Sequence, residues 1–324
     1  MPLLADDTLV GALLAAVTHG PGRILDVAEV GSLTDLGQVC AAVVQRALLA
    51  DETESRRARE RVGLVLERPE LLVPAFQPIV ALVDGHVVGY EALSRFQAEP
   101  YEPPTVWFAN ADRVGLGSEL QALAIHRALA VAMAAGLPDG TFLSLNASPR
   151  LLADPLLVRA TSGFFLERVV IEITEEEAVG DYAIMRDTLA PYRAAGARIA
   201  IDDVGAGYAS LRHLTELQPD FIKLDALLMP RLGSDPAGRA MVRALSGFAE
   251  EIGAVLIAEG VERPEDLALL ARARLPIMVQ GFAIARPGAP WPEILPLARQ
   301  AWATTGSPRP AALAGRRAIG ARRA

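Results

Sequence analysis

From about residue 74 onward, short apolar runs alternate with longer stretches whose apolar residues recur at helical spacing. The runs are Ala75–Val80, Val87–Leu93, Thr141–Asn146, Val169–Ile173, Arg198–Ile201, Asp220–Leu224, Ala254–Ala258 and Ile277–Phe282. They are short and rich in Val, Ile, Leu and Phe, which predicts strands buried on both faces. The helical stretches fall at 118–136, 149–160, 182–195, 235–252, 263–274 and 290–303. Gly136, Gly196 and Gly253 each close a helix just before the next strand. Eight strands with helices between most of them, over about 230 residues, predict an α/β barrel of TIM type. Only Ala81–His86 separates the first two runs, too short for a parallel crossover. The expected fold is therefore a modified TIM-type barrel with one antiparallel strand, beginning in a hairpin that turns at Asp84-Gly85.

The barrel is expected over 71–303. Ahead of it, residues 1–50 form a small N-terminal extension of strand and helix. Asp7–Val17 reads as an edge strand, and Thr34–Ala50 carries Leu36, Val39, Val43, Val44, Ala47 and Leu48 at helical spacing. Residues 51–70 are charged and helical in pattern, a connector open to coiling with a partner's copy. Residues 304–324 carry five arginines, no acid and several Gly, Ala and Pro, which predicts a disordered, solvated tail.

Composition narrows the class. The chain has 324 residues, 52% of them apolar, enough for one large domain with a small attachment. A net charge of −8 argues against a nucleic-acid polymer as partner. The single cysteine, Cys40, excludes an internal disulfide and a thiolate metal cluster, and its apolar neighbours place it on a buried helix face. The apolar stretch Leu9–Val17 is too short to span a bilayer and lacks a basic flank, so no membrane segment and a cytoplasmic location are expected.

The candidate chemistry sits where the strands stop. Of 31 basic residues, thirty are arginine and one is lysine: Lys223, inside an apolar run. Lysine is a compact point charge where arginine is a planar fork, so a lone lysine marks a place where arginine cannot serve. The chain has two asparagines, and Asn146 closes another run. The second strand carries Glu91, the fourth Glu172 followed by Glu175, the fifth ends in Asp202-Asp203, the seventh at Glu259, and the eighth carries Gln280. In a barrel these ends share one rim. So many carboxylates repel one another unless cations sit among them. Oxygen donors of this kind suit Mg²⁺ or Mn²⁺. Adjacent aspartates let one residue bridge two ions about 3.5–4 Å apart, the arrangement that clamps a phosphoryl transfer. Lysine would orient the attacking water or neutralise developing charge. The alternative is that each acid caps a helix.

Taken in order, these segments resemble the EAL family of cyclic di-GMP phosphodiesterases over residues 72–300. Glu91-Ala92-Leu93 is similar to the namesake motif, preceded by Phe76-Gln77-Pro78-Ile79-Val80 and followed by Arg95. Leu145-Asn146-Ala147-Ser148, Glu172-Ile173-Thr174-Glu175, Asp202-Asp203-Val204-Gly205-Ala206-Gly207-Tyr208, Lys223-Leu224-Asp225, Glu259-Gly260-Val261-Glu262 and Gln280-Gly281-Phe282 resemble the rest. The resemblance implies that Glu91, Asn146, Glu172 and Asp202 hold one ion, and that Asp202, Asp203 and Glu259 hold a second. It implies Glu259 as general base and Lys223 as the contact to the attacking water. Gln280 would join the metal-bound water network, Gln77 and Arg95 would touch substrate, and Glu262 would support the site. Glu175 would anchor the loop after the fifth strand, which couples dimerisation to metal binding. The implied reaction opens cyclic di-GMP to linear pGpG in bacterial second-messenger signalling, and the implied assembly is a homodimer. The chain departs from the family pattern at Val204, where phenylalanine is usual, and at Ala206 and Ala209, where threonine and serine are common; these bear on loop coupling and rate. Residues 5–50 resemble the last strand and helix of a GAF sensor domain, with a helical extension packing on a partner subunit as the alternative.

Two other functions compete. One is a catalytically weak EAL-like module that senses cyclic di-GMP or binds a protein partner; loss of a ligand usually marks that class, and here every ligand position is kept. The other is an unrelated metal-dependent barrel enzyme, against which the match of Gln77, Arg95 and Gln280 counts. His19, His86, His126 and His213 lack a second histidine at metal spacing and read as structural.

Overall fold

The first ordered elements are a pair of strands and one long helix. In the computed structural model, which describes residues 2–5, 8–12, 27–174, 181–204, 210–225, 236–273 and 275–304, β1 (Pro2–Ala5) and β2 (Thr8–Ala12) pair antiparallel as a separate two-stranded sheet. Helix α1 (Val27–Glu67) runs for 41 residues. The two helical segments expected at 34–50 and 51–68 are thus one continuous rod, because neither Gly nor Pro interrupts the register at their junction. Its last turns are buried: Val62 and Val65 pack with Leu72, Phe96, Trp107 and Leu120. Its earlier turns leave Leu36, Val39 and Val43 exposed, and Cys40 is half-buried rather than in a core.

The barrel strands follow: β3 (Leu72–Ala81), β4 (Val87–Phe96), β5 (Phe142–Asn146), β6 (Val169–Thr174), β7 (Arg198–Val204), β8 (Phe221–Leu224), β9 (Val255–Ala258) and β10 (Met278–Val279). They close in the order β10-β3-β4-β5-β6-β7-β8-β9. β3 is antiparallel to both neighbours, and every other adjacent pair is parallel. The modified TIM-type barrel and its one antiparallel strand are thereby seen. Pro74 and Pro78 fit inside β3 because their missing N–H groups share the side on which Phe76 donates to Gly288, where β10 reaches only Val80 and Ala81.

Around the barrel lie α2 (Pro104–Arg113), α3 (Gly117–Ala135), α4 (Pro149–Leu152), α5 (Pro155–Thr161), α6 (Tyr182–Ala194), α7 (Ser210–Leu217), α8 (Pro236–Glu251), α9 (Pro264–Ala273) and α10 (Pro296–Thr304). The single helix expected at 149–160 is two. Pro155 cannot continue α4, and Asp154 caps α5 by accepting from Leu156 N at 2.9 Å. The helix expected from residue 290 starts at Pro296. Helices α2 and α7 had no counterpart among the expected helices; both are short, at ten and eight residues. The tail expected at 304–324 lies outside the described residues from 305 on.

The interior is layered. Ile79, Phe142, Val170, Ala200, Phe221 and Ile257, with Met278 against them, make an apolar plug across the barrel. Gly89 is its member on β4: a Cβ there would come within 2.5 Å of the Phe142 ring. The ring occupies the space that any other residue at 89 would need.

Candidate active site

Two residues beyond the plug on each strand, toward the C-terminal end of the barrel, every side chain is polar. Strand alternation returns a side chain to the same face after two residues. Phe142 thus leads to Ser144, Val170 to Glu172, Ala200 to Asp202, Phe221 to Lys223, Ile257 to Glu259, Met278 to Gln280 and Gly89 to Glu91. On the reversed strand β3, Ile79 leads back to Gln77, which pairs with Glu91 across the hairpin. The ring holds one residue from each of the eight strands or their ends.

Lys223 stands at its centre, 1% exposed. Its Nζ donates to Glu172 Oε2 and to Asp202 Oδ2, both at 2.9 Å, and lies 2.7 Å from Glu259 Oε1 and 3.7 Å from Glu91 Oε1. One compact ammonium reaches carboxylates from four strands. The flat, wider guanidinium of arginine would not fit that convergence, which accounts for the survival of a lysine here. Burial alone would pull the ammonium's pKa down, but the four carboxylates outweigh it and hold Lys223 well above the ordinary range. One ammonium is too little for the acids around it. Burial, reinforced by neighbouring carboxylates and opposed by Lys223, pushes Glu172 well up and Glu259 to about 8.

Amides complete the ring. Gln280 Nε2 donates to Glu91 Oε2 at 2.6 Å and to Gln77 Oε1 at 3.0 Å, and Gln77 Nε2 donates to Ala285 O at 3.0 Å. Gln77, assigned to substrate by resemblance, is buried with its amide committed inside the protein. Gln280 is aimed by the backbone behind it. A Cβ on Gly281 would lie 2.2 Å from Val261 O, a closeness only glycine allows, and Val261 N donates to Gln280 O. Asn146 sits one layer higher, exposed, and reaches Glu91 Oε1 from Nδ2 at 3.3 Å.

Asp202 and Asp203 should face opposite ways on a regular strand. They do not, because Asp203 takes a left-handed φ of 57° and the β7–β8 register shifts between Ile201 and Val204. Asp202, Asp203 and Glu259 consequently offer carboxylate oxygens within 4.8 Å of one another.

Arg95 and Glu262 are exposed. Arg95, four residues along β4 from Glu91, donates to Ser94 O at 2.9 Å. Glu175, Ala206 and Ala209 lie outside the described residues, and Val204 is buried at the end of β7. The ring acids do not serve as helix caps: among the described helices, the capping side chains are Ser148, Asp154 and Asp181.

The donor set fits hard divalent cations. Glu91, Glu172, Asp202, Asp203 and Glu259 offer only oxygen, and with all five ionised one ammonium leaves four negative charges that two divalent ions would balance. Gln280 Oε1 is buried and accepts no hydrogen bond, as an oxygen awaiting a cation or a water would be.

A sequence profile of the EAL domain matches residues 59–287. The chain belongs to the EAL-domain family. A Caulobacter vibrioides protein described as an uncharacterized signaling protein is 34% identical over 245 residues, 73% of this chain and 29% of the relative. RocR of Pseudomonas aeruginosa, named a cyclic di-GMP phosphodiesterase, is 31% identical over 227 residues, 65% of this chain and 56% of its own length. BlrP1 of Klebsiella pneumoniae, solved as a calcium/cyclic di-GMP complex, superposes with a TM-score of 0.59 at 31% identity over 70% of this chain and 58% of that one. This EAL chain spans 29%, 42% and 40% of the length of the first three curated relatives. No described helix is long and apolar enough to cross a membrane.

Serine 144 is the member of the ring that the strand-end reading passed over in favour of Asn146. The signal was present in the sequence: Phe142-Leu143-Ser144 repeats the apolar-x-polar step of Val170-Ile171-Glu172 and Phe221-Ile222-Lys223.

Proposed function

We propose that this EAL chain hydrolyses cyclic di-GMP to linear pGpG, using two divalent ions, Mg²⁺ or Mn²⁺, at the polar ring. The observation that carries the reading is the convergence of four carboxylates on a single buried ammonium, with a fifth, Asp203, beside two of them, directly above an apolar plug. Glu91, Asn146, Glu172 and Asp202 would hold one ion, and Asp202, Asp203 and Glu259 the other. Bound there, the ions supply the positive charge that makes water a competent nucleophile near neutral pH and that neutralises the phosphodiester.

The chain's own groups do the rest. Glu259 takes the proton of the attacking water as its oxygen bonds to phosphorus and the ribose 3′-oxygen leaves. Lys223, fixed by two hydrogen bonds at 2.9 Å, aligns that water. The exposed Arg95 guanidinium suits a phosphate oxygen. The bent Asp202-Asp203 step keeps two carboxylates on one side, as two neighbouring ions require. Glu175 would anchor the loop after β7 in a cytoplasmic homodimer.

Turnover of cyclic di-GMP by the purified protein with Mg²⁺ or Mn²⁺, followed as pGpG by chromatography with Glu91→Ala as control, tests the reading. Product that vanishes in the variant is expected. Nucleotide binding without product would make the chain a sensor, with the altered loop at Val204, Ala206 and Ala209 as the first place to look.

A further inference from the structure

We infer that Ser144 is a positioning residue that locks the Glu172 carboxylate in the orientation a divalent ion needs. The inference rests on the two-ion reading above. Ser144 is 1% exposed and belongs to the ring by strand register: it pairs with Glu91 on β4, and its side chain rises from the face that Phe142 occupies in the plug. Its Oγ donates to Glu172 Oε1 in a short hydrogen bond. The other oxygen, Oε2, accepts from Lys223 at 2.9 Å. Glu172 is thus gripped at both oxygens by donors from two different strands, β5 and β8, and its carboxylate plane cannot turn without losing one of them.

The choice of residue follows from the surroundings. Every other donor that could reach Glu172 Oε1 would bring charge or bulk to a layer resting on the Phe142 and Phe221 rings, whose centroids are 5.2 Å apart. A serine hydroxyl is the smallest neutral donor available. Alanine would fill nearly the same space and leave Oε1 buried without a donor, a cost charged to a carboxylate that must stay oriented. Partners that orient a metal-binding side chain typically change ion affinity by about 10–100-fold when removed.

The test measures Mn²⁺ binding by calorimetry to chelator-treated protein, with melting of the metal-free form alongside. Ser144→Ala is expected to weaken Mn²⁺ binding by about 10–100-fold, with the metal-free melting temperature lowered by roughly a few degrees. Ser144→Thr, which keeps the hydroxyl, is expected to restore affinity to within a few-fold; Ser144→Cys, of similar size and a weak donor, stands in if the alanine variant fails to fold and should bind weakly. Wild-type affinity in Ser144→Ala, or a lowered melting temperature with unchanged affinity, would overturn the inference and leave the two-ion reading intact. Wild-type protein that binds no Mn²⁺ at all would overturn both.

Discussion

The plug residues Ile79, Phe142, Val170, Ala200, Phe221 and Ile257 and the ring residues Gln77, Ser144, Glu172, Asp202, Lys223 and Glu259 sit two positions apart on the same strands, yet they obey opposite rules. In the plug each side chain gains by leaving water, and neighbours are interchangeable so long as the volume fills. In the ring each side chain loses hydration, and recovers it only through named partners at fixed distances. Stability is concentrated in the lower layer and chemistry in the upper one. The plug also seals the floor, so that charges in the ring interact across a barrel interior rather than through open water.

That division can be broken from either side. Phe221→Ala removes a ring tilted against Phe142 and beneath Arg198, and should destabilise the protein by about 3–5 kcal/mol in denaturant unfolding. Its Mn²⁺ affinity should stay within a few-fold of wild type, and a large loss of affinity would show that the two layers are not separable. Lys223→Arg keeps the charge and should lower kcat by about 100–1000-fold with cyclic di-GMP binding largely kept. Unchanged turnover in that variant would refute the reading of the chain's one lysine.

The most graded effect is in pH. Glu259 sits at about 8 in the fold against an ordinary value of 4.5, raised first by burial. Between those values the folded protein holds a proton that the unfolded chain has released, so metal-free stability should fall as pH rises through this window, with the Glu259 contribution complete above about 8. Glu172 shifts in the same direction and deepens the fall. Melting in the presence of chelator across that range measures it, and Glu259→Gln should flatten the curve. Added Mn²⁺ should do the same, because a cation replaces the proton. Stability that rises across the window would contradict the picture of a surplus of buried acid.

Much of this molecule is set by local pattern. Apolar runs of strand length, punctuated by Gly136, Gly196 and Gly253, sufficed for the eight strands and their order. Six residues between the first two runs sufficed for the antiparallel hairpin, since no crossover is that short. The lone Lys223 and the strand-end acids already marked the rim where chemistry collects. What the sequence alone left undecided was side-chain direction and reach. Ser144 and Asn146 share one face of β5, and the register with β4, which pairs Ser144 with Glu91, decides which of the two lies in the ring layer. Asp202 and Asp203 share one side only through a left-handed φ and a register shift that no two-residue pattern announces. Gln77 turned out to be tied to Ala285, 208 residues away, and Gln280 to Glu91, 189 away. Periodicity acts between near neighbours and is written along the chain, whereas such contacts exist only after the barrel closes and brings its first and last strands together.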